Sequence, residues 1–402
     1  MNNSNTKKKI LHIITLFSIG GATENTIYTV DGLIKKGYDV DIITGPNISS
    51  EGSMYDVCKK LNIPVFTFKH LKRKISLFSD ILVIFQLYLF IKKNKYDIVH
   101  THSSKAGVVG RVAAWIAKTS IIIHHNHANP YHRFQNWFVR KFYKIIEKTA
   151  ALLCDKIVSV TYTIVDEMVK DKIAPKEKFI VIRSGFNTEK FKNFNSTNNY
   201  KMKNRFGISD TDVVLGKIAR LSIIKGHIYL LQAFENVSKQ IPNVKLLFVG
   251  DGENKTELLR FIDKKKLNDK IIFTGLIPTD EMPSAISLID IVVHTALLEG
   301  LPRVFTQAKL MGKPIISFDL DGAHEVIEDG KNGYLIEPLN IEMLTEKIID
   351  LASNITKAKK FGDYSKDNIK DDFSINAMVE QNHILYQELL NNKSIISEHI
   401  IF

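Results

Sequence analysis

Two cysteines, Cys58 and Cys154, are all that the 402 residues contain. They stand far apart with no CxxC or Cys/His spacing around them, which argues against a disulfide framework or a structural zinc site and for a reducing compartment. Long apolar runs are scarce too. The longest, Ile81-Leu-Val-Ile-Phe-Gln-Leu-Tyr-Leu-Phe-Ile91, is too short for a bilayer, which takes roughly 20 residues. It reads as a helix buried between a sheet and its neighbours, with a partly membrane-facing role as the alternative. The start, Met1-Asn-Asn-Ser-Asn-Thr-Lys-Lys-Lys9 running into Ile10-Leu-His-Ile-Ile-Thr15, lacks the cleavage pattern of a signal peptide. A GxGxxG phrase is missing, which disfavours a nicotinamide dehydrogenase, and there is no recognised nucleic-acid-binding motif.

Acidic residues are short in one half only. Residues 1–190 hold 29 Lys and Arg against 15 Asp and Glu, and the remainder 26 against 28, so the first half carries all of the net charge of +12. Within it, Arg133, Arg140, Lys141, Lys144 and Lys148 interleave with Phe134, Trp137, Phe138, Phe142 and Tyr143 on a helical stretch. Such a basic amphipathic surface suits anionic lipid, and a solvated helix face fits the pattern equally.

With 45% apolar and 24% charged residues, the chain has an ordinary globular composition and length for two domains of about 200 residues each. Short β-branched runs at 10–15, 40–44, 65–68, 98–101, 121–125 and 157–160 alternate with segments able to form helices. That pattern reads as βαβ units on a parallel sheet. The alternation restarts at 213–219, 245–249, 271–273, 291–294, 315–318 and 333–336, and the polar, Asn-rich stretch 191–200 is the candidate linker. The expected fold is α/β, two tandem doubly wound, Rossmann-like domains facing a cleft, residues 1–190 and 191–373.

The candidate site residues gather at strand ends. Gly216-Lys-Ile-Ala-Arg-Leu-Ser-Ile-Ile-Lys-Gly226 leaves a strand and opens a helix, which sets Arg220 and Lys225 where a diphosphate would collect and where fixed cations offset a departing nucleotide's charge. In Val249-Gly-Asp-Gly-Glu253, Gly250 and Gly252 permit close backbone approach, and Asp251 faces the ligand or caps the next helix. Thr295-Ala-Leu-Leu-Glu-Gly-Leu-Pro-Arg-Val-Phe-Thr-Gln-Ala308 puts Glu299 and several backbone amides at a helix start, just past a strand ending near His294. In the first half, Gly20 and Gly21 join the first strand to the first helix and let the backbone pass close to a phosphate or an acceptor. His100, His102, His124, His125, His127 and His132 lie near two strand ends. Neighbours such as His124 and His125 point to opposite faces of a strand and acidic ligands are missing, so no metal site is expected. Asp319-Leu-Asp321 reads as turn and capping residues rather than a metal-binding pair.

Taken together these phrases resemble the signatures of the family 4 retaining glycosyltransferases (glycosyl transferases group 1), of GT-B architecture, over nearly the whole chain. The resemblance implies that the second domain binds a nucleoside-diphosphate sugar, that the first receives the acceptor, and that a closing helix at about 374–402 crosses back to the first domain. It assigns Glu299 to hydroxyls of the transferred sugar and the backbone from Gly300 through Leu301, Pro302 and Arg303 to Val304 to the sugar and phosphates. A second glutamate eight positions after the first meets the ribose in that family. Gln307 stands there in this chain, keeping an acceptor oxygen but losing charge-assisted strength of order 1 kcal/mol. Ile123-His-His-Asn-His-Ala128 resembles the segment carrying an active-site histidine, which places His127 beside the donor sugar. The implied enzyme is a hexosyl- or N-acetylhexosaminyltransferase acting on a glycan or polyprenyl-diphosphate-linked acceptor in cell-surface polysaccharide synthesis. It would be cytoplasmic or peripheral on the inner membrane face, without metal, cofactor or nucleic acid. A nucleotide-sugar epimerase of the same fold and a non-catalytic nucleotide-sugar-binding protein are the alternatives.

Overall fold

The β-branched runs of the sequence become parallel strands. In the computed structural model, which describes residues 7–46, 52–195, 199–369 and 371–399, the chain divides into two units, residues 1–186 with 372–402 and residues 187–371. The first unit runs β1 (Lys9–Ile14), α1 (Gly21–Lys35), β2 (Asp39–Thr44), α2 (Tyr55–Lys60), β3 (Val65–Thr67), α3 (Leu77–Asn94), β4 (Ile98–His102), α4 (Ser104–Ile116), β5 (Ile121–Asn126), α5 (Trp137–Ala151), β6 (Lys156–Ser159), α6 (Tyr162–Lys170) and β7 (Phe179–Val181). The second runs α7 (Glu189–Lys192), α8 (Asn199–Arg205), β8 (Val213–Ile218), α9 (His227–Gln240), β9 (Val244–Val249), α10 (Lys255–Lys265), β10 (Ile271–Gly275), α11 (Met282–Ser287), β11 (Ile291–His294), α12 (Arg303–Leu310), β12 (Ile315–Phe318), β13 (Gly333–Ile336), α13 (Ile341–Ala352) and α14 (Ile355–Asp367). The chain then returns to the first unit as α15 (Ile375–His399).

The first sheet pairs in the order β3-β2-β1-β4-β5-β6-β7 and the second in the order β10-β9-β8-β11-β12-β13, every pair parallel. In each, the order reverses beside the central strand, between β1 and β4 and between β8 and β11. Doubly wound sheets bind ligands beyond the carboxyl ends of the strands at such a switch point. Each unit has its own apolar core. Helix α15 closes the first core by packing on α1, and it fits because Gly32 has no side chain: a Cβ there would lie 2.3 Å from Cγ2 of Val379.

Three features differ from the sequence reading. Strand β7 was not expected, because Phe-Ile-Val between charged and turn residues is too short to show a period. The polar stretch 191–200 lies inside the second unit, with Phe191 buried in α7 and residues 196–198 outside the described ones; the units divide at residues 186 and 187. Helix α3 is not sandwiched. Only Val83, Leu87 and Ile91, a single stripe at four-residue spacing, are buried, whereas Leu77 and Phe78 are 79% and 82% exposed and Ile81, Phe85 and Leu89 are exposed beside them. Among the described residues no helix is long and apolar enough to cross a membrane. Cys58 and Cys154 are free and buried.

Candidate functional site

Past the carboxyl ends of β8, β9 and β11, three loops are laced together by their backbones. The Leu221 N–H donates to the Asp251 carbonyl at 3.0 Å, the Asn254 N–H to that of Leu221 at 2.9 Å, and the Leu297 N–H to that of Ile224 at 2.8 Å. Glycine makes this approach feasible. Gly226 has φ +62, and a Cβ on it would lie 2.0 Å from the Thr295 carbonyl oxygen; Gly250 has φ +138, and a Cβ there would lie 2.3 Å from the Ala219 oxygen. A fourth segment braces the third loop: the Asp321 carboxylate accepts the Glu299 N–H at 2.7 Å, and the Gly322 N–H reaches the Gly300 carbonyl at 3.3 Å.

This frame holds Glu299 between two basic groups. Its carboxylate pairs with the Lys225 ammonium and lies 3.4 Å from Nε2 of His294. Burial pushes the carboxyl up, but Lys225 and His294 together outweigh it and bring the pKa down to about 2. Burial pushes His294 down to about 4 against the pull of Glu299. Beneath them on β8 sits Lys217, fully buried. Its ammonium donates to Thr295 Oγ1 at 3.0 Å, and that hydroxyl donates to the Gly226 carbonyl at 2.7 Å. Burial lowers the Lys217 pKa to about 7, opposed by Glu299. The result is a fixed anion paired with the Lys225 ammonium at a sheet switch point, able to accept hydroxyl hydrogen bonds while the ammonium can meet a diphosphate.

The remaining candidates of the second unit lie on the same loops. Arg220 is exposed after β8. Asp251 accepts the Gly252 N–H at 2.8 Å and pairs with Lys255 at 3.5 Å. Pro302 is the N-cap of α12, Gly300 and Val304 are buried, and Leu301, Arg303 and Gln307 are half-buried. Gly20, Gly21 and His127 belong to the other unit. Gly20 precedes α1, and a Cβ on it would meet nothing within 4 Å, so packing does not demand glycine there.

His127, half-buried just past β5, stands at the end of a column of imidazoles. Strand register builds the column: His12 on β1 pairs with His100 on β4, and His102 with His125 on β5, while residues two apart share a face. His124 faces the other way, with Nδ1 at 3.1 Å from Thr101 Oγ1, its ring against Gly107 of α4. His132 packs near Phe134 instead. Sequence reasoning passed over His12, Lys217, His294 and Tyr386. The signal for the first two was present: an ionisable residue in the middle of an otherwise apolar strand, Lys-Ile-Leu-His-Ile-Ile and Val-Val-Leu-Gly-Lys-Ile.

A family model described as "Glycosyltransferase Family 4" matches residues 19–190, and one described as "Glycosyl transferases group 1" matches residues 198–368. The chain is similar to the UDP-Gal:alpha-D-GlcNAc-diphosphoundecaprenol alpha-1,3-galactosyltransferase of Escherichia coli, 26% identical over 98% of this chain and 100% of that one. It is similar to the capsular polysaccharide biosynthesis glycosyltransferase CapM of Staphylococcus aureus, 24% identical over 95% and 98% of the two chains. In fold it is similar to the crystal structure of Anabaena Alr3699/HepE in complex with UDP and glucose, with a TM-score of 0.78 at 22% identity, covering 94% of this chain and 99% of that one.

Proposed function

The chain belongs to glycosyltransferase family 4, and from that premise we propose that it moves a hexose or N-acetylhexosamine from a uridine diphosphate donor, with retention at the anomeric carbon, to a polyprenyl-diphosphate-linked or polymeric glycan acceptor in cell-surface polysaccharide synthesis. The observation that carries the reading is Glu299, kept anionic between Lys225 and His294 where three glycine-tightened loops meet the start of α12. Glu299 accepts from hydroxyls of the transferred sugar, Lys225 and Arg220 neutralise the leaving diphosphate, the backbone from Gly300 to Val304 faces the sugar and phosphates, and Gln307 meets the ribose. Gly250 and Asp251 line the donor side, and in the first unit the family resemblance supports Gly20 and Gly21 as a close backbone approach to a phosphate or an acceptor and His127 as the histidine at the reacting sugar. With two side-chain cations for the diphosphate, no metal is required. The uridine base and the lipid-linked acceptor are supported by the name of the Escherichia coli relative.

We also propose that the first unit rests on an anionic membrane surface, where a lipid-linked acceptor would be met. Helices α3, α4 and α5 lie side by side, joined by the Lys105–Asp80 pair and by the buried Arg111–Glu147 pair at 2.9 Å. The outer faces of α3 and α5 are apolar: Phe78 is matched on α5 by Phe138 at 74% exposure and Trp137 at 61%. Lys72, Arg73, Lys74, Lys92, Lys93, Arg133, Lys141 and Lys148 are exposed around them. Cations around an apolar face fit an interfacial surface.

Incubating the protein with UDP-glucose, UDP-galactose or UDP-N-acetylglucosamine, a diphosphate-linked sugar acceptor and EDTA tests the reading. The expected product carries one more sugar in the donor's anomeric configuration, at a rate that EDTA leaves unchanged. A changed nucleotide sugar without transfer would mean an epimerase, and UDP binding without turnover a binding protein.

A further inference from the structure

The imidazole column behind His127 is a continuous hydrogen-bonded chain. Nε2 of His127 lies 3.1 Å from Nδ1 of His102, Nε2 of His102 2.8 Å from Nδ1 of His12, and Nε2 of His12 3.3 Å from the hydroxyl of Tyr386 on α15. That hydroxyl lies 2.5 Å from Nδ1 of His100. His12, His100, His102 and Tyr386 are wholly buried.

We propose that Tyr386, His12 and His102 form a relay that sets which ring nitrogen of His127 carries the proton, and so makes Nδ1 of His127 a hydrogen-bond acceptor. A neutral imidazole has one N–H, and each nitrogen-to-nitrogen contact in the chain needs one proton. The protons must therefore all point the same way along it. Tyr386 has a single hydroxyl proton. Its 2.5 Å contact with His100 has the length of an O–H donating, which leaves the hydroxyl oxygen to accept an N–H from His12 at 3.3 Å. His12 then carries its proton on Nε2, His102 does the same to satisfy His12, and His127 does the same to satisfy His102. The inner rings stay neutral because burial pushes His12 down to about 3 and His100 and His102 well below the ordinary value.

This inference rests on the reading of His127 as a reaction-side residue. An acceptor at Nδ1 selects a hydroxyl, the group that a sugar offers; the reversed chain would present an N–H and select a phosphate or carbonyl oxygen. Tyr386, His12 and His102 are then positioning residues acting through His127. Two sets of ring nitrogens in the column, those of His12, His100 and His102 and those of His102, His125 and His127, come within 4.8 Å of one another, so a metal ion held there is the outcome that would overturn the relay.

Long-range proton–nitrogen correlation spectra of the full chain with 15N-labelled histidine report each ring's tautomer without substrate. The wild type should show His127 protonated on Nε2. Tyr386→Phe, which removes only the hydroxyl, should shift His127 to a mixture of tautomers and lower kcat roughly tenfold with little change in the donor KM. Protonation of His127 on Nδ1 in the wild type overturns the relay, as does an unchanged tautomer in Tyr386→Phe. One zinc ion retained per chain after dialysis against zinc, with displaced His102 and His127 nitrogen shifts, overturns it too. Should Tyr386→Phe fail to fold, the wild-type tautomer alone decides. Normal transfer by His127→Ala would overturn the reaction-side reading and leave the relay standing on its spectra.

Discussion

Gln307 and Glu299 sit eight residues apart on one loop and helix, and the proposed division of labour between them can be measured one side chain at a time. If Gln307 meets the ribose, Gln307→Glu keeps or improves donor affinity, because a carboxylate accepts hydroxyl hydrogen bonds more strongly than an amide. Gln307→Ala should weaken binding of UDP itself by about 1 kcal/mol or more, since the buried hydroxyls lose a partner. Glu299→Ala should spare UDP and chiefly impair the intact sugar donor. Calorimetry with both ligands separates these outcomes, and equal losses of UDP affinity in the two alanine variants would end the division. Lys225→Ala and Arg220→Ala should each lower turnover at least tenfold, about 1.4 kcal/mol of barrier; steady-state rates unchanged in both would remove the leaving-group role. The residue scale is also where the sequence was most legible on the donor side, because glycines, cations and a helix start fall in short phrases with local meaning. The column of His12, His100, His102 and Tyr386 was not local. It depends on which strands become neighbours, and β1 meets β4 only after the chain has reversed its order in the sheet.

At the scale of elements, periodicity located the long strands of both sheets because a strand covered on two faces must be apolar along its length. It could not tell which helices are covered. The apolar run in α3 satisfies burial and lipid contact alike, and only the stripe Val83, Leu87 and Ile91 is taken up by the fold. The outer faces of α3 and α5 should therefore confer binding to vesicles containing anionic lipid at low salt, weakened at high salt because exposed charges are screened over about 8 Å at physiological ionic strength. Phe78→Ser together with Trp137→Ser should reduce co-sedimentation without lowering thermal stability, since both side chains are exposed. Equal binding to neutral and anionic vesicles would assign the charge another purpose.

For the molecule as a whole, buried histidine is the dominant ionisable burden. Burial lowers His12 to about 3, His100, His102, His124 and His125 well below 6.5, and, in the second unit, His227 to about 2 and His294 to about 4. Below pH 6.5 the unfolded chain takes up protons that these rings refuse when folded, so stability falls with falling pH by about 1.4 kcal/mol per pH unit for each ring. Five such rings lie in the first unit against two in the second, so the loss falls mainly on the first unit. Calorimetry should show the first unit melting ahead of the second as the solution is acidified, and midpoints unchanged between pH 7 and pH 5 would show that the rings titrate freely. The same unit is assembled from both ends of the chain: the Phe186 N–H bonds to the Phe373 carbonyl, the Gly185 N–H to Met378 Sδ, and Lys36 to Glu380 at 2.6 Å. During synthesis, therefore, its sheet leaves the ribosome well before its last helix exists. At about 5–20 residues per second, the nascent chain must keep α1 and the histidine column uncovered while residues 187–371 are translated, an interval in which a chaperone can bind the face that α15 will later occupy.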